Sequence, residues 1–306
     1  MVSYDPNWTH EDDHMNKQIV KTVRKILSSV GLSIYAVNES FVDFRYQFPD
    51  PRIAAVYYKP VVMMAKVKDA RWKANGSAID HTHPIVKILR QAADSSDRSK
   101  FEKLIRNQIF DYYADYQPSG LWECIGINYS SKFDELPLPS HTNNPPWPWS
   151  LYTYLKDEKS AVIKNGKLVK SLAKEHGVQH WGPSSRSKIE AEIWKFGRLF
   201  ESIRRNGFID SPSHRGGFVE ADVLVNNEGD WRWMIEQGQH RVMMCAVLDI
   251  AEINIKVRRV LTEEAIEYFP HVISGLYSLD QAGDIFHRVI GKKNMLVSKL
   301  QPEENR

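Results

Sequence analysis

Cysteine is nearly missing from this chain: Cys124 and Cys245 are the only two in 306 residues. They are too few and too far apart for a disulfide framework, which excludes a disulfide-stapled secreted scaffold and fits a reducing compartment. Long apolar runs are missing too, and no stretch approaches the roughly 20 residues that a bilayer span needs. The first residues, rich in Asp, Glu and His, lack the apolar core of a signal peptide, so a cytoplasmic location is expected. An excess of one charge is the third absence. Lys and Arg number 41 against 38 Asp and Glu, a net charge of +3, and no global field favours nucleic acid as a partner. No internal repeat is visible.

What is present is the composition of a soluble globular protein, 42% hydrophobic and 26% charged. The length allows one large domain or two ordinary ones. The clearest break is Leu136 to Ser150, where Pro137, Pro139, Pro145, Pro146 and Pro148 prevent regular structure. Trp147 and Trp149 argue that this segment packs on something, and a domain boundary is placed at its end. Residues 1–150 then form a mostly helical N-terminal region of open role, and 151–306 a second domain of α+β class.

Two stretches carry metal-like spacing. His10-Glu11-Asp12-Asp13-His14 matches His-Glu-x-x-His literally, but it precedes a helix rather than lying inside one, and no third ligand follows. It reads as a solvated helix entry ahead of the stripe Met15, Ile19, Val23, Ile26, Leu27 and Val30. Asp80, His81 and His83 are explained by a loop leading into a helix at Pro84. A further helical stripe, Phe101, Leu104, Ile105, Ile109 and Tyr112, reads as core. The lysine-rich run from Lys156 to Lys174 contains a turn at Asn165-Gly166, followed by a helix.

The chain is organised around Asp230 to Val257. Arg232–Glu236 reads as a strand, Val242–Leu248 as a buried helix, and Ile253, Ile255 and Val257 alternate as a second strand. Between the first two lies Gln237-Gly238-Gln239-His240-Arg241. A glycine there lets backbone amides approach an anion, and the helix start adds unpaired N–H groups and a positive dipole end. His240 and Arg241 supply further donors, Arg241 bidentately. An ordinary turn with a solvated His-Arg pair explains the same residues. Upstream, Ile189, Ile193, Phe196, Phe200 and Ile203 mark a helix with Ser187 and Glu190 as a capping box, and it ends at Asn206-Gly207. Phe218 to Val225 and Trp231 to Glu236 form a hairpin that feeds the turn.

Leu199-x-x-Ser202-Ile203-x-x-Asn206-Gly207, a strand pair, Gly238-x-His240-Arg241, a helix and a strand together resemble the ParB/sulfiredoxin superfamily over about Gly182 to Arg259. Gly-Gln-His-Arg in particular resembles a group of uncharacterised bacterial proteins with this fold. The resemblance implies that Gly238, Gln239, His240 and Arg241 contact nucleotide phosphates, and that the loop before the Ile189–Ile203 helix enters the site. Sulfiredoxin repair would need a cysteine where Gln239 stands. DNA clamping would need a helix-turn-helix that the last 45 or so residues do not suggest. What the resemblance leaves is phosphoryl transfer from ATP, ADP or CTP with Mg²⁺ to an unidentified small-molecule or sugar hydroxyl. Glu236 and Glu220 are then the candidate catalytic carboxylates. A non-catalytic nucleotide sensor, or a ParB-like DNA-associated protein, is the alternative.

Overall fold

A computed structural model of the chain describes residues 41–57, 59–134, 136, 145–150, 159–210 and 217–291. The readings for His10–His14, for the Met15–Val30 stripe and for the C-terminal tail lie outside these residues. The described residues all fall within one compact unit, Ser40–Arg306.

The protein is of α+β class, built on a mixed six-stranded sheet. Its strands are β1 (Val42–Phe44), β2 (Val61–Lys66), β3 (Ala70–Arg71), β6 (Val219–Val225), β7 (Trp231–Gln237) and β8 (Glu252–Thr262), in the order β1-β2-β8-β6-β7-β3. Strands β4 (Lys159–Lys164) and β5 (Lys167–Leu172) form a separate antiparallel hairpin. Its turn is Asn165-Gly166, both at positive φ (51° and 72°), as a tight two-residue hairpin requires.

This topology corrects the expected division at residue 150. Strand β2 pairs antiparallel with β8 from Val61↔Val257 to Lys66↔Glu252, and β3 pairs parallel with β7. Residues on both sides of the Pro/Trp-rich segment therefore share one sheet. The N-terminal part, read as mostly helical but with an extended segment near Val61–Val67, contributes β2 at that segment, and its β8 neighbour lies some 190 residues away. Such pairings leave no local periodic signal beyond a short apolar run.

Alternation along the strands splits the interior in two. Ala221, Val223, Val225, Trp233 and Ile235 enter the main core under helices α1 (Pro84–Arg90), α2 (Arg98–Asp115), α3 (Arg186–Asn206) and α4 (Gln239–Val247). Leu224 and Met234 point to the other face, where they meet Trp147, Trp149 and the final helix α5 (Leu279–Ile290). The tryptophans are buried and stacked, with ring centroids 5.4 Å apart and planes 8° from parallel.

Helix α3 buries Ile189, Ile193, Phe196, Phe200 and Ile203 as its periodicity predicts. Its cap is Ser185, however, which accepts from the Lys188 amide, and not Ser187. Ser187 donates instead to the Ile163 carbonyl of β4, and Glu190 pairs with Arg106 of α2. Leu104 departs from the expected α2 stripe and is about half exposed. Pro84 does begin α1, with His81 exposed and His83 buried, so Asp80, His81 and His83 do not converge.

Candidate functional site

Strand β7 ends at Gln237, and Gly238 turns the chain directly into α4. Gly238 adopts φ +100°, and a Cβ there would lie 2.9 Å from Arg241 Nη2 and 3.1 Å from Val219 Cγ2. Glycine is thus required twice, by backbone conformation and by space. The first intrahelical bond is donated by the Arg241 amide to the Gly238 carbonyl at 2.9 Å. The amides of Gln239 and His240 precede it at the helix start, where the dipole is positive, and have no acceptor among the described residues. A cavity of about 370 Å³ opens here, lined by Gln179, Glu236, Gln237, Gly238, Gln239, His240 and Arg241. Gln179 belongs to the loop before α3, so that loop contributes to the lining of the cavity.

His240 is the side chain whose surroundings most exceed those of a solvated turn. Its Nε2 lies 2.5 Å from Glu192 Oε2 of α3. Glu192 is fully buried, and Lys188 and Lys195 lie 2.9 and 2.7 Å from its other oxygen. Burial alone would raise the Glu192 pKa, but Lys195, Lys188 and His240 overturn it and hold the carboxyl well below its ordinary range. An ionised carboxylate can only accept, so His240 Nε2 carries a proton, and in the neutral ring the lone pair is then on Nδ1. Among the described residues no hydrogen bond is made to Nδ1.

Gln239 is held by its own side chain: Trp72 Nε1 donates to Gln239 Oε1 at 2.8 Å. Arg241 lines the cavity, and its guanidinium also donates to the carbonyls of Gly217 (2.7 Å) and Phe218 (3.1 Å) at the entry to β6. Burial lowers its pKa, and a buried guanidinium must satisfy its donors where it lies.

The two candidate carboxylates separate. Glu236 lines the cavity and is mostly buried, with Lys73 Nζ 2.6 Å from Oε2. Burial raises its pKa, Lys73 opposes this, and the Asp222 carboxylate adds to the rise. Glu220 does not line the cavity. It pairs with Lys256 at 3.4 Å and with Arg258 at 3.8 Å, and Arg258 lies the same 3.8 Å from Glu236. Among the described residues, Arg258 is the link between Glu220 and Glu236.

Sequence reasoning missed Trp72, Lys73, Gln179, Lys188, Glu192 and Lys195. Glu192 did leave a trace: it falls between Ile189 and Phe196 on the apolar stripe of α3, where a carboxylate is out of place. Trp72 and Lys73 follow the two-residue strand β3, whose position only the sheet reveals. Trp147 Nε1 donates to the Lys73 carbonyl at 2.9 Å, so the Pro/Trp-rich segment braces the backbone that carries the Glu236 partner.

Among the described residues, no helix is long and apolar enough to cross a membrane. No three His, Cys, Asp or Glu side chains there are grouped to hold a metal by themselves. No family model, curated protein or solved structure matches the chain.

Proposed function

We propose that the chain binds the phosphates of a nucleotide, ATP, ADP or CTP, against the start of α4 and moves the terminal phosphoryl group to a hydroxyl of a small molecule or sugar. The observation that carries this is the cavity of about 370 Å³ at a helix N-terminus, entered over a left-handed glycine and walled by His240 and Glu236. Its size is within the range of small-molecule sites, and free amides with a positive dipole end favour a phosphate. The strand–glycine–helix order supports a ParB/sulfiredoxin-like fold for this part of the chain.

Glu236 is the only carboxylate among the lining residues. Its raised pKa suits a group that accepts the proton of the attacking hydroxyl. Mg²⁺ carried on nucleotide phosphates needs one or two protein carboxylates rather than a closed cage, and neutralises charge on the transferred group. Glu236, as a carboxylate that lines the cavity, would meet it. A second reading, a nucleotide sensor without turnover, draws on the 2.6 Å Lys73–Glu236 pair, which occupies that carboxylate.

Calorimetric titration with each nucleotide, with and without Mg²⁺, tests the binding. Gly238→Ala should weaken it, because the added Cβ, 2.9 Å from Arg241 Nη2 and 3.1 Å from Val219 Cγ2, must displace the turn whose amides meet the phosphate. Equal affinity in the two proteins, or none in either, removes the cleft as the site. ³¹P NMR with an acceptor pool should show a new phosphoester that disappears in Glu236→Gln while nucleotide still binds. Tight binding with no transfer would leave the sensor.

A further inference from the structure

We propose that phosphoryl transfer in this cleft passes through His240, which is phosphorylated on Nδ1, with Glu192 as its positioning residue. The inference rests on the nucleotide-binding function above and adds a covalent step to it.

A buried carboxylate is costly unless paired and hydrogen-bonded. Here three cationic or donor groups, Lys188, Lys195 and His240, converge on Glu192 in the interior of the molecule. A helix that needed only to pack would place an apolar residue at this point of its stripe. What Glu192 achieves is to fix the imidazole. Its Oε2 lies 2.5 Å from Nε2 and accepts the Nε2–H hydrogen bond, which leaves Nδ1 as the nitrogen that holds the lone pair in the neutral ring, and the ring is set beside Phe196, whose centroid is 5.0 Å away. His240 lines the cavity and is the second residue of α4, one of the two whose amides would hold the phosphate. The nucleophilic nitrogen and the phosphorus it would attack are therefore assigned to the same helix turn. A general base for the acceptor would need to sit beside the acceptor instead, and that role is left to Glu236, which lines the same cavity.

The step balances as follows. The Nδ1 lone pair forms a bond to the terminal phosphorus, and the bond from phosphorus to the bridging oxygen breaks. That oxygen keeps the electron pair and leaves with the shortened nucleotide. The positive charge gained by the ring is shared with Glu192 through the Nε2 proton, and the helix start stabilises the new phosphoryl anion. In the second half the acceptor hydroxyl attacks phosphorus, the N–P bond returns its pair to Nδ1, and the hydroxyl proton passes to Glu236.

The test needs no knowledge of the acceptor. The full chain is incubated with Mg²⁺ and ATP, ADP or CTP carrying ³²P on the terminal phosphate, quenched in alkali, and analysed by fragmentation. The expected result is a label stable in alkali, lost in acid and located at His240. His240→Asn should bind nucleotide and take no label. Glu192→Gln should slow labelling at saturating nucleotide by about 10–100-fold, as loss of an orienting carboxylate does, with the dissociation constant unchanged. A purely structural Glu192 would move both together. Binding by calorimetry without an acid-labile label, or a label that persists in His240→Asn, overturns the histidine step and leaves direct transfer standing. Absence of binding to any of the three nucleotides overturns the underlying function and the step with it.

Discussion

The cluster around Glu192 makes a stability prediction that is independent of any ligand. Replacing Glu192 by Leu removes the acceptor shared by Lys188 at 2.9 Å and Lys195 at 2.7 Å. Lys195 is about one-fifth exposed and can turn to water, but Lys188 is 2% exposed and cannot. Its ammonium pKa is already lowered by burial, with Glu192 opposing that shift. Leaving one member of a buried pair uncompensated costs about 3–5 kcal/mol. Replacing both members by apolar side chains of similar volume is often neutral or stabilising, so Lys188→Met/Glu192→Leu should recover most of the loss. Urea unfolding of the wild type, both single variants and the double variant gives the coupling directly. A Glu192→Leu protein destabilised by less than about 1 kcal/mol, or a double variant no more stable than that single one, would show that Glu192 is not a buried compensated charge. The orienting role given to it would then fall too.

Three further outcomes are expected. His83 is buried with no partner on either ring nitrogen, and burial brings its pKa down to about 3, with Asp80 opposing. The unfolded chain therefore takes up a proton first as pH falls below about 6.5, and by pH 5 this alone should cost about 2 kcal/mol. The pH dependence of the urea midpoint between pH 7 and 5 should flatten in His83→Phe, and an unchanged slope would remove His83 as its source. Trp147→Ala should cost about 3–5 kcal/mol through lost stacking and a cavity, and should expose the segment around Pro145–Ser150 to limited proteolysis that spares the wild type. Arg241→Ala loses charge-assisted bonds to two carbonyls, at about 1.5–3 kcal/mol for such contacts. The fall should appear in thermal stability without nucleotide; a loss confined to nucleotide affinity would return Arg241 to the role of a direct phosphate ligand.

Local order was legible without coordinates wherever a short-range rule governs it. The α3 stripe from Ile189 to Ile203, the Asn165-Gly166 turn and the start of α1 at Pro84 all follow from periodicity, turn chemistry and proline geometry, which act within a few residues. The same rules placed Gly238 between a strand and a helix, and therefore the cavity. Boundaries shifted where tertiary packing competes: α4 begins at Gln239 rather than Val242, and the cap of α3 is Ser185 because Ser187 is taken by the β4 carbonyl of Ile163.

The partners of the site residues were decided by tertiary structure alone. Glu192 meets His240 across 48 positions and Trp72 meets Gln239 across 167; Lys73 meets Glu236 across 163. Each contact depends on strand order and helix packing, which bring together side chains whose own neighbourhoods contain no sign of the other. Arg241 shows the converse. Its place at the start of a helix reads as a ligand in sequence, but a largely buried guanidinium needs acceptors for its donors, and two of them are the carbonyls of Gly217 and Phe218. Residue type and spacing determined where the cleft is; which side chains face it, and which are spent holding it together, was determined by burial.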